Sequence, residues 1–432
     1  MERMDRPRPR SEGLSPSTAR AGRTRLRILF VDYTVGFGGA VRSLARLRDG
    51  LEALEVDTWI VTSQTPGILE EWYGDGRVLT FRSLVNYRWL QQQRARRPWL
   101  ARPLALLNAV ATGWNYLKLR RIFKEIRPHI VHLNAGESPG EAMRAAEASE
   151  LPWVVHARGF PVPAESRGRP DPYLEPTGAH FIAVSKAVGE AILQEGARPE
   201  RVHVVYNPVD LAAFPSGSTG NDAPPGEEAR IEALRGELGL PLDANVLGIF
   251  GRVVPWKGHE EALEAVLPLF REDPRTHLLV VGDAGGDPEG EELLRRLEEH
   301  GATRGVGAQL HLAGYRSDVE ALYRICDVVL HTSVEPEPFG RTVVEAMASS
   351  RPVVASPLGG PAEIVEDGVT GFLVDPRDEE LWRERVRTLL GDPELRAEMG
   401  ARGREVVERR FSAERHAREV LGVYTRILRR VS

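Results

Sequence analysis

The sequence predicts an α/β protein built from two doubly wound domains in tandem. Three observations carry this expectation. Short apolar runs of strand length alternate with helical patterns, first over residues 26–206 and again over 243–410, and such alternation implies parallel sheets. A stretch rich in Pro, Gly, Ser and Asn, residues 214–229, separates the two series and reads as an interdomain linker. Several of the strands run into glycine-punctuated turns that open a helix, which is where an open parallel sheet binds ligands. A length of 432 residues with 42% hydrophobic content suits two globular domains.

Residues 1–25 are rich in Arg, Pro and Ser without apolar periodicity and read as a disordered basic tail. The first domain is placed at 26–213. Its first strand is expected at 26–32, followed by the glycine loop 35–40 and a helix over 41–54. Further strands are expected at 58–62, 130–134, 153–156, 181–185 and 202–206, whereas 64–100 gives no clear pattern. The second domain is placed at 230–411, with strands at 246–250, 278–281, 327–333, 352–356 and 372–374. Helices are expected from 259, over 319–326 and over 341–350. A last helix occupies 412–432, with Ser412 as a candidate N-cap.

The chemistry concentrates in the second domain. The string Glu337-Pro-Phe-Gly-Arg-Thr-Val-Val-Glu345 sets two carboxylates across a loop-to-helix junction. The amino end of that helix, around Phe339, Gly340 and Arg341, offers N–H groups to phosphate, and the carboxylates suit hydroxyl groups as acceptors. Both together fit a sugar nucleotide. Upstream, the turn Gly251-Arg-Val-Val-Pro-Trp-Lys-Gly258 presents Arg252 and Lys257 beside a strand end. Arg grips phosphate through a fork of donors and Lys acts as a compact charge, while Gly251 and Gly258 permit close backbone approach. Taken singly, the glutamates could be surface residues beside a helix start and the cations solvated charge. Their joint position beside strand ends favours ligand binding.

Composition bounds the rest. The single Cys326 excludes an internal disulfide, fits a reducing compartment and reads as a small core residue. Neither a Cys/His cluster nor an Asp-x-Asp pair in a ligand setting points to a metal. The formal charge of −5 is unevenly spread: residues 1–27 hold eight Arg against three acids, and residues 88–127 hold ten Lys and Arg against one Glu. The acidic remainder argues against nucleic acid as a partner. Segment 88–127 also carries Trp89, Trp99, Trp114 and several leucines. It suits either an anionic membrane surface or, the preferred reading, helices packed on the sheet. No apolar run reaches membrane-span length, residues 103–114 being the longest candidate, and the Arg-rich start lacks the apolar core of a secretory signal. The expectation is a cytoplasmic protein, either free or peripheral on the inner face of a membrane.

Beyond these separate features, the ordered strings GRVVPWKG, VVGD, GYRSDVEALYRICDVVLHTS, EPEPFGRTVVEAMA, RPVVAS and GGPAEIVEDGVTGFLVDP resemble the carboxyl-terminal half of family-4 retaining glycosyltransferases of the GT-B fold. The match is dense over 246–376. GGAVRSLARL, VVHARGF, FIAVSKAVGE and VVYNPVD match the amino-terminal half more loosely. The resemblance implies two Rossmann-like domains facing across a cleft, acceptor on the first and nucleotide sugar on the second, with the last helix crossing back to the first domain. It implies transfer of a hexosyl unit with retention of configuration and no metal or other cofactor. It assigns Glu337 to hydroxyls of the transferred sugar, Glu345 to the ribose, Arg252 and Lys257 to the diphosphate, and the loop holding Gly38 and Gly39 to the donor and acceptor. His156, at a strand end, would sit near the transferred sugar. Asn134 stands where many relatives carry His. The acceptor is expected to be a glycan, a lipid-linked molecule or a small molecule. Two rivals stay open: a sugar-nucleotide epimerase of the same architecture, and a non-catalytic sugar-nucleotide binder.

Overall fold

A computed structural model describes residues 25–32, 39–62, 77–80, 101–134, 140–162, 179–214 and 226–431. Most of the basic tail, the loop residues 33–38 including Gly38, segment 81–100 and the heart of the linker, 215–225, lie outside the described residues. The chain divides into two compact units, one formed by 1–206 with 414–432 and the other by 207–413.

The first unit holds a parallel sheet of β1 (Arg27–Asp32), β2 (Asp57–Thr62), β3 (Val78–Thr80), β4 (Ile130–Asn134), β5 (Trp153–Ala157), β6 (His180–Ala183) and β7 (Val202–Val204). The spatial order is β3-β2-β1-β4-β5-β6-β7. The central strands are near-continuous runs of Val, Ile, Leu and Phe because most of their side chains are buried on both faces, whereas the edge strand β7 is only partly covered. Ile28, Phe30, Ile60, Ile130, Val154 and Ile182 form one core layer with Leu44, Leu47 and Leu51 of the helix Gly39–Ala53. That helix begins two residues earlier than the sequence suggests, so Gly39 is its first residue and not part of a free turn. The carboxyl-terminal helix Ala413–Val431 belongs to this core, contributing Ala417, Val420, Val423, Tyr424 and Ile427.

The second unit repeats the plan with β8 (Asn245–Phe250), β9 (Thr276–Val281), β10 (Leu310–Gly314), β11 (Val328–His331), β12 (Val353–Ala355) and β13 (Gly371–Leu373), in the order β10-β9-β8-β11-β12-β13, all parallel. Its core joins Leu247, Ile249, Leu278, Val280, Val328 and Leu330 to helix residues such as Leu263, Val266 and Trp382. A helix, Glu227–Glu237, begins inside the range read as linker. Its run of Glu, Ala, Arg and Leu favours helix, which the Pro/Gly-rich residues before it masked.

Candidate active site

Both sheets change direction once. In the second unit the chain winds outward from β8 through β9 to β10, then returns to β11 on the other side of β8. The loops leaving the carboxyl ends of β8 and β11 therefore border the switch point, which is where open α/β sheets hold ligands. Here they carry Arg252, Lys257 and Glu337.

The loop after β8 is fixed before Lys257 is reached. Gly251 N–H donates to the Val281 carbonyl (2.9 Å) and Val253 N–H to the Asp283 carbonyl (2.8 Å). Residues 255–257 make one 3-10 turn. At Gly258 φ is 71°, and a Cβ there would stand 2.0 Å from the Thr332 carbonyl oxygen, so only glycine fits. Thr332 Oγ1 donates to the carbonyls of Lys257 (3.1 Å) and Gly258 (2.7 Å), while Val334 N–H donates to the Trp256 carbonyl (2.9 Å). The two loops are thus sewn together along their backbones.

Glu337 is held from the other side. Its N–H donates to the Leu358 carbonyl (3.0 Å) and its carbonyl accepts from Gly360 N–H (2.8 Å). At Gly359 φ is 82°, and a Cβ would come within 2.3 Å of the Glu337 carbonyl oxygen. The GGP string is therefore the seat on which the Glu337 loop rests.

The sewn loops bring Lys257 Nζ against Glu337 Oε2 in a short ion pair, with side chains only 15% and 14% exposed. Lys257 also lies 4.3 Å from the Trp256 ring centroid. His331, at the end of β11, places Nε2 3.7 Å from the same carboxylate oxygen, longer than a settled hydrogen bond. Burial alone would raise the Glu337 carboxyl. The polar approach of His331 and the charge of Lys257 outweigh it and hold the pKa at about 2. Glu337 is therefore a permanent anion at neutral pH, suited to accept hydrogen bonds and unsuited to donate a proton.

Arg252 stands exposed at the β8 end and makes no hydrogen bond or ion pair with the described residues. Its guanidinium is available to an anion. Gly340, at φ 95°, opens the helix Arg341–Ala348 with no side chain capping the first turn, which leaves N–H groups for an incoming phosphate. The Phe339 side chain is buried, edge-on to Phe411 at 5.9 Å, so it anchors the loop. Glu345 accepts from Arg341 Nη2 (2.7 Å) and from the Tyr323 hydroxyl (3.1 Å). Arg341 is therefore committed to Glu345 one turn away. Burial pushes the Tyr323 hydroxyl pKa well above its usual value, and the Glu345 charge adds to this, so it serves as a donor.

In the first unit the switch point lies between β1 and β4. Asn134, ending β4, accepts from Arg158 Nε (3.1 Å) and Nη2 (2.9 Å) and donates to Asp32 (3.3 Å), which ends β1. His156 lies one residue before the end of β5, close to the strand end expected, and is fully buried. Its Nδ1 lies 3.3 Å from His132 Nε2, His132 Nδ1 lies 2.6 Å from the Tyr424 hydroxyl, and its ring stacks on His416 at 5.9 Å. Burial, then the charge of Arg158, keeps His132 and His156 well below the usual histidine range, and His416 at about 3. His156 Nε2 has no partner among the described residues.

Sequence reasoning singled out Lys257 and Glu337, and the structure brings them together. It did not single out His331, whose apolar strand context VVLHTS conceals a ring aimed at Glu337, nor Tyr323, which reads as a core aromatic. Among the described residues no group of three or more His, Cys, Asp or Glu side chains is placed to hold a metal.

Comparison with known proteins agrees with this architecture. The family model described as glycosyl transferases group 1 matches residues 230–406, and the model described as Glycosyltransferase Family 4 matches residues 37–213. A D-inositol 3-phosphate glycosyltransferase of Corynebacterium efficiens is 34% identical over 57% of this chain and 56% of the relative. The protein of the same description from Xylanimonas cellulosilytica is 31% identical over 70% of this chain and 72% of the relative. The chain spans about half the length of most of the first curated relatives it matches. Among solved structures, a glycosyltransferase from Rickettsia africae superposes with a TM-score of 0.78 at 22% identity, covering 94% of this chain and 99% of the other. HepE of Anabaena in complex with UDP and glucose gives 0.73 at 24% identity, covering 93% and 100%. At those identities the structural likeness speaks for the fold alone. With a GT-B pair of Rossmann-like units, two family models in order along the sequence and a relative matched over most of its length, the chain belongs to the group 1 glycosyltransferases of family 4.

Proposed function

We propose that this chain is a retaining, metal-independent hexosyltransferase that takes a nucleoside diphosphate sugar as donor. The acceptor is an alcohol on a glycan, a lipid-linked molecule or a small molecule. The observation that carries the reading is the buried Lys257–Glu337 pair at the β8/β11 switch point, on the loop that also carries the exposed Arg252, which is unpaired among the described residues. Within the pair each charge neutralises the other. An arriving diphosphate competes for Lys257, and the released Glu337 carboxylate turns to hydroxyls of the sugar. Donor binding thus exchanges one charge-assisted contact for two.

As the bond between the anomeric carbon and the diphosphate oxygen breaks, negative charge grows on the leaving group. Arg252, Lys257 and the N–H groups at the start of helix Arg341–Ala348 meet that charge. Loss of one such preorganised donor typically costs about 3 kcal/mol of barrier. The acceptor oxygen forms its bond on the same face, and its proton passes to the departing phosphate oxygen. Glu337, ionised and tied to Lys257, is a poor general acid and an encumbered nucleophile. The two cations supply the positive charge that a divalent ion supplies in other transferases. Glu345, fixed by Arg341 and Tyr323, is in place for a ribose.

UDP and UDP-glucose occur in the HepE structures, which makes UDP-hexoses the first donors to try. The relatives' name makes D-inositol 3-phosphate the first acceptor, and Arg158 gives the first unit a cation for such an anion. A thermal-shift screen over UDP-, GDP- and ADP-hexoses, followed by NMR of the product anomer with and without a chelator, tests the reading. A retained anomer and unchanged turnover in chelator are expected. An inverted product would refute retention, and chelator-sensitive turnover would refute metal independence. Conversion of donor to another sugar nucleotide without acceptor would instead establish the epimerase.

A further inference from the structure

One helix of the first unit is apolar on two opposite faces. In Ala101–Ile126 the inner face carries Ala111, Asn115, Leu119 and Phe123, four residues apart and all buried. Asn115 Nδ2 donates to Glu141 on the neighbouring helix Gly140–Glu147 (3.2 Å), which fixes this face inward. The outer face carries Leu107, Val110, Trp114 and Leu117 at the three- and four-residue spacing of a single helical stripe, with Leu106 beside them. They are 43%, 56%, 48%, 62% and 69% exposed. These five are nearly half of the large apolar side chains exposed among the described residues, and the others are scattered. A helix with a second apolar face calls for a second apolar neighbour, and clustered exposed apolar groups mark an interaction surface.

The same stripe then changes character. The next two positions on it are Arg121 and Lys124, both exposed, with Lys118 and Arg120 flanking and Glu125 the single acid. Lys118 sits 5.3 Å over the Trp114 ring, so the indole lies where the apolar part meets the basic part. Apolar side chains with an indole at their border and cations beyond match the layers of a lipid surface: acyl chains, interface, anionic headgroups. Lysine and arginine reach headgroups while their stems cover apolar surface. We propose that this stripe, Leu106 to Lys124, lies on an anionic lipid bilayer and holds the first unit at the membrane surface. The apolar stretch is about 16 Å long, set by the rise of 1.5 Å per residue; the helix dips apolar end first into one leaflet and does not cross the bilayer, since no helix of the described residues is long and apolar enough to span one. This surface is independent of the transferase reading.

The test is cosedimentation of the full chain with vesicles of phosphatidylcholine alone and with phosphatidylglycerol added. Binding to the anionic vesicles, weakened by salt, is expected. Val110→Glu with Leu117→Glu, both on exposed positions, should lower the partition at least about tenfold while leaving the thermal melt intact, and Arg121→Glu with Lys124→Glu should abolish the preference for anionic lipid. Should the apolar pair fail to fold, quenching of tryptophan fluorescence by brominated lipid, compared between wild type and Trp114→Phe, reads the same contact. Failure of the wild type to bind anionic vesicles, or equal binding by the folded Val110/Leu117 variant, overturns the proposal. So does a concentration-dependent dimer in sedimentation velocity that this variant dissolves, because the stripe would then serve a second copy of the chain.

Discussion

Lys257→Met keeps the length of the side chain, keeps its packing on Trp256 and removes its charge. Glu337 would then be a buried anion with His331 as its remaining polar neighbour. The size of the effect follows from the carboxyl itself. Its pKa is about 2 in the folded protein against an ordinary 4.5, and at roughly 1.4 kcal/mol per pH unit that gap stabilises the fold by about 3 kcal/mol. Screening is weak because both side chains are largely buried. His331 shares in the effect, so removal of Lys257 alone should cost about 2 kcal/mol, less than the roughly 3–5 kcal/mol usual for one half of a fully buried pair. The pH dependence has a fixed sign. A carboxyl whose pKa is depressed on folding stabilises fully above pH 4.5, and that stabilisation is lost as pH falls from 4.5 towards 2. Urea melts of wild type and variant across this range should therefore differ most at pH 7 and converge in acid. Superimposable melts at pH 7, or a gap as large at pH 2 as at pH 7, would refute the reasoning.

The seat beneath Glu337 makes a second prediction. Gly359→Ala forces a Cβ against the Glu337 carbonyl at a backbone angle that L residues avoid. It should cost about 1–3 kcal/mol in stability and raise the KM for donor, measured by melts and steady-state kinetics; an unaffected KM would dismiss the seat. Three histidines of the first unit, one buried and two half-buried, make a third. His416, at about 3, and His180 and His203, each at about 4, lie below the ordinary 6.5 because burial, then in part nearby cations, disfavours their charged forms. Their unfolded forms take up protons first, so stability should fall as pH drops from 6.5 towards 4, by up to about 1.4 kcal/mol per pH unit for each histidine. His416→Gln should flatten that slope in part, and an unchanged slope would clear His416 of the effect.

Much of the fold was legible because both sheets are covered on both faces. β8, β9, β11 and β12 appear as bare apolar runs, and glycine turns mark where they stop. The edges were less visible. β3 has three residues, and β10, with its alternation of His and Leu, is only half buried along its length, so neither presents a continuous apolar signal. The site divided the same way. Arg252, Lys257 and Glu337 sit in loops, where a charged residue beside glycine or proline stands out. His331 and Tyr323 act from within a strand and a core helix, where apolar neighbours disguise them. The Tyr424–His132–His156 chain joins residues 292 positions apart, and nothing local in the sequence announces such a contact. The basic and aromatic character of 88–127 was visible in the sequence, but which face of helix Ala101–Ile126 stays outside was not: with apolar residues on both faces, its pattern loses the polar stripe by which a surface helix is recognised.

The central claim is that a diphosphate leaving group is met at the β8/β11 switch point, and the turnover of Arg252→Ala at saturating donor tests it most directly. Arg252 is exposed and unpaired among the described residues, so its loss should spare the fold. The account predicts a fall in kcat of about a hundredfold or more with the thermal melt unchanged. A variant that turns over at nearly the wild-type rate would contradict it.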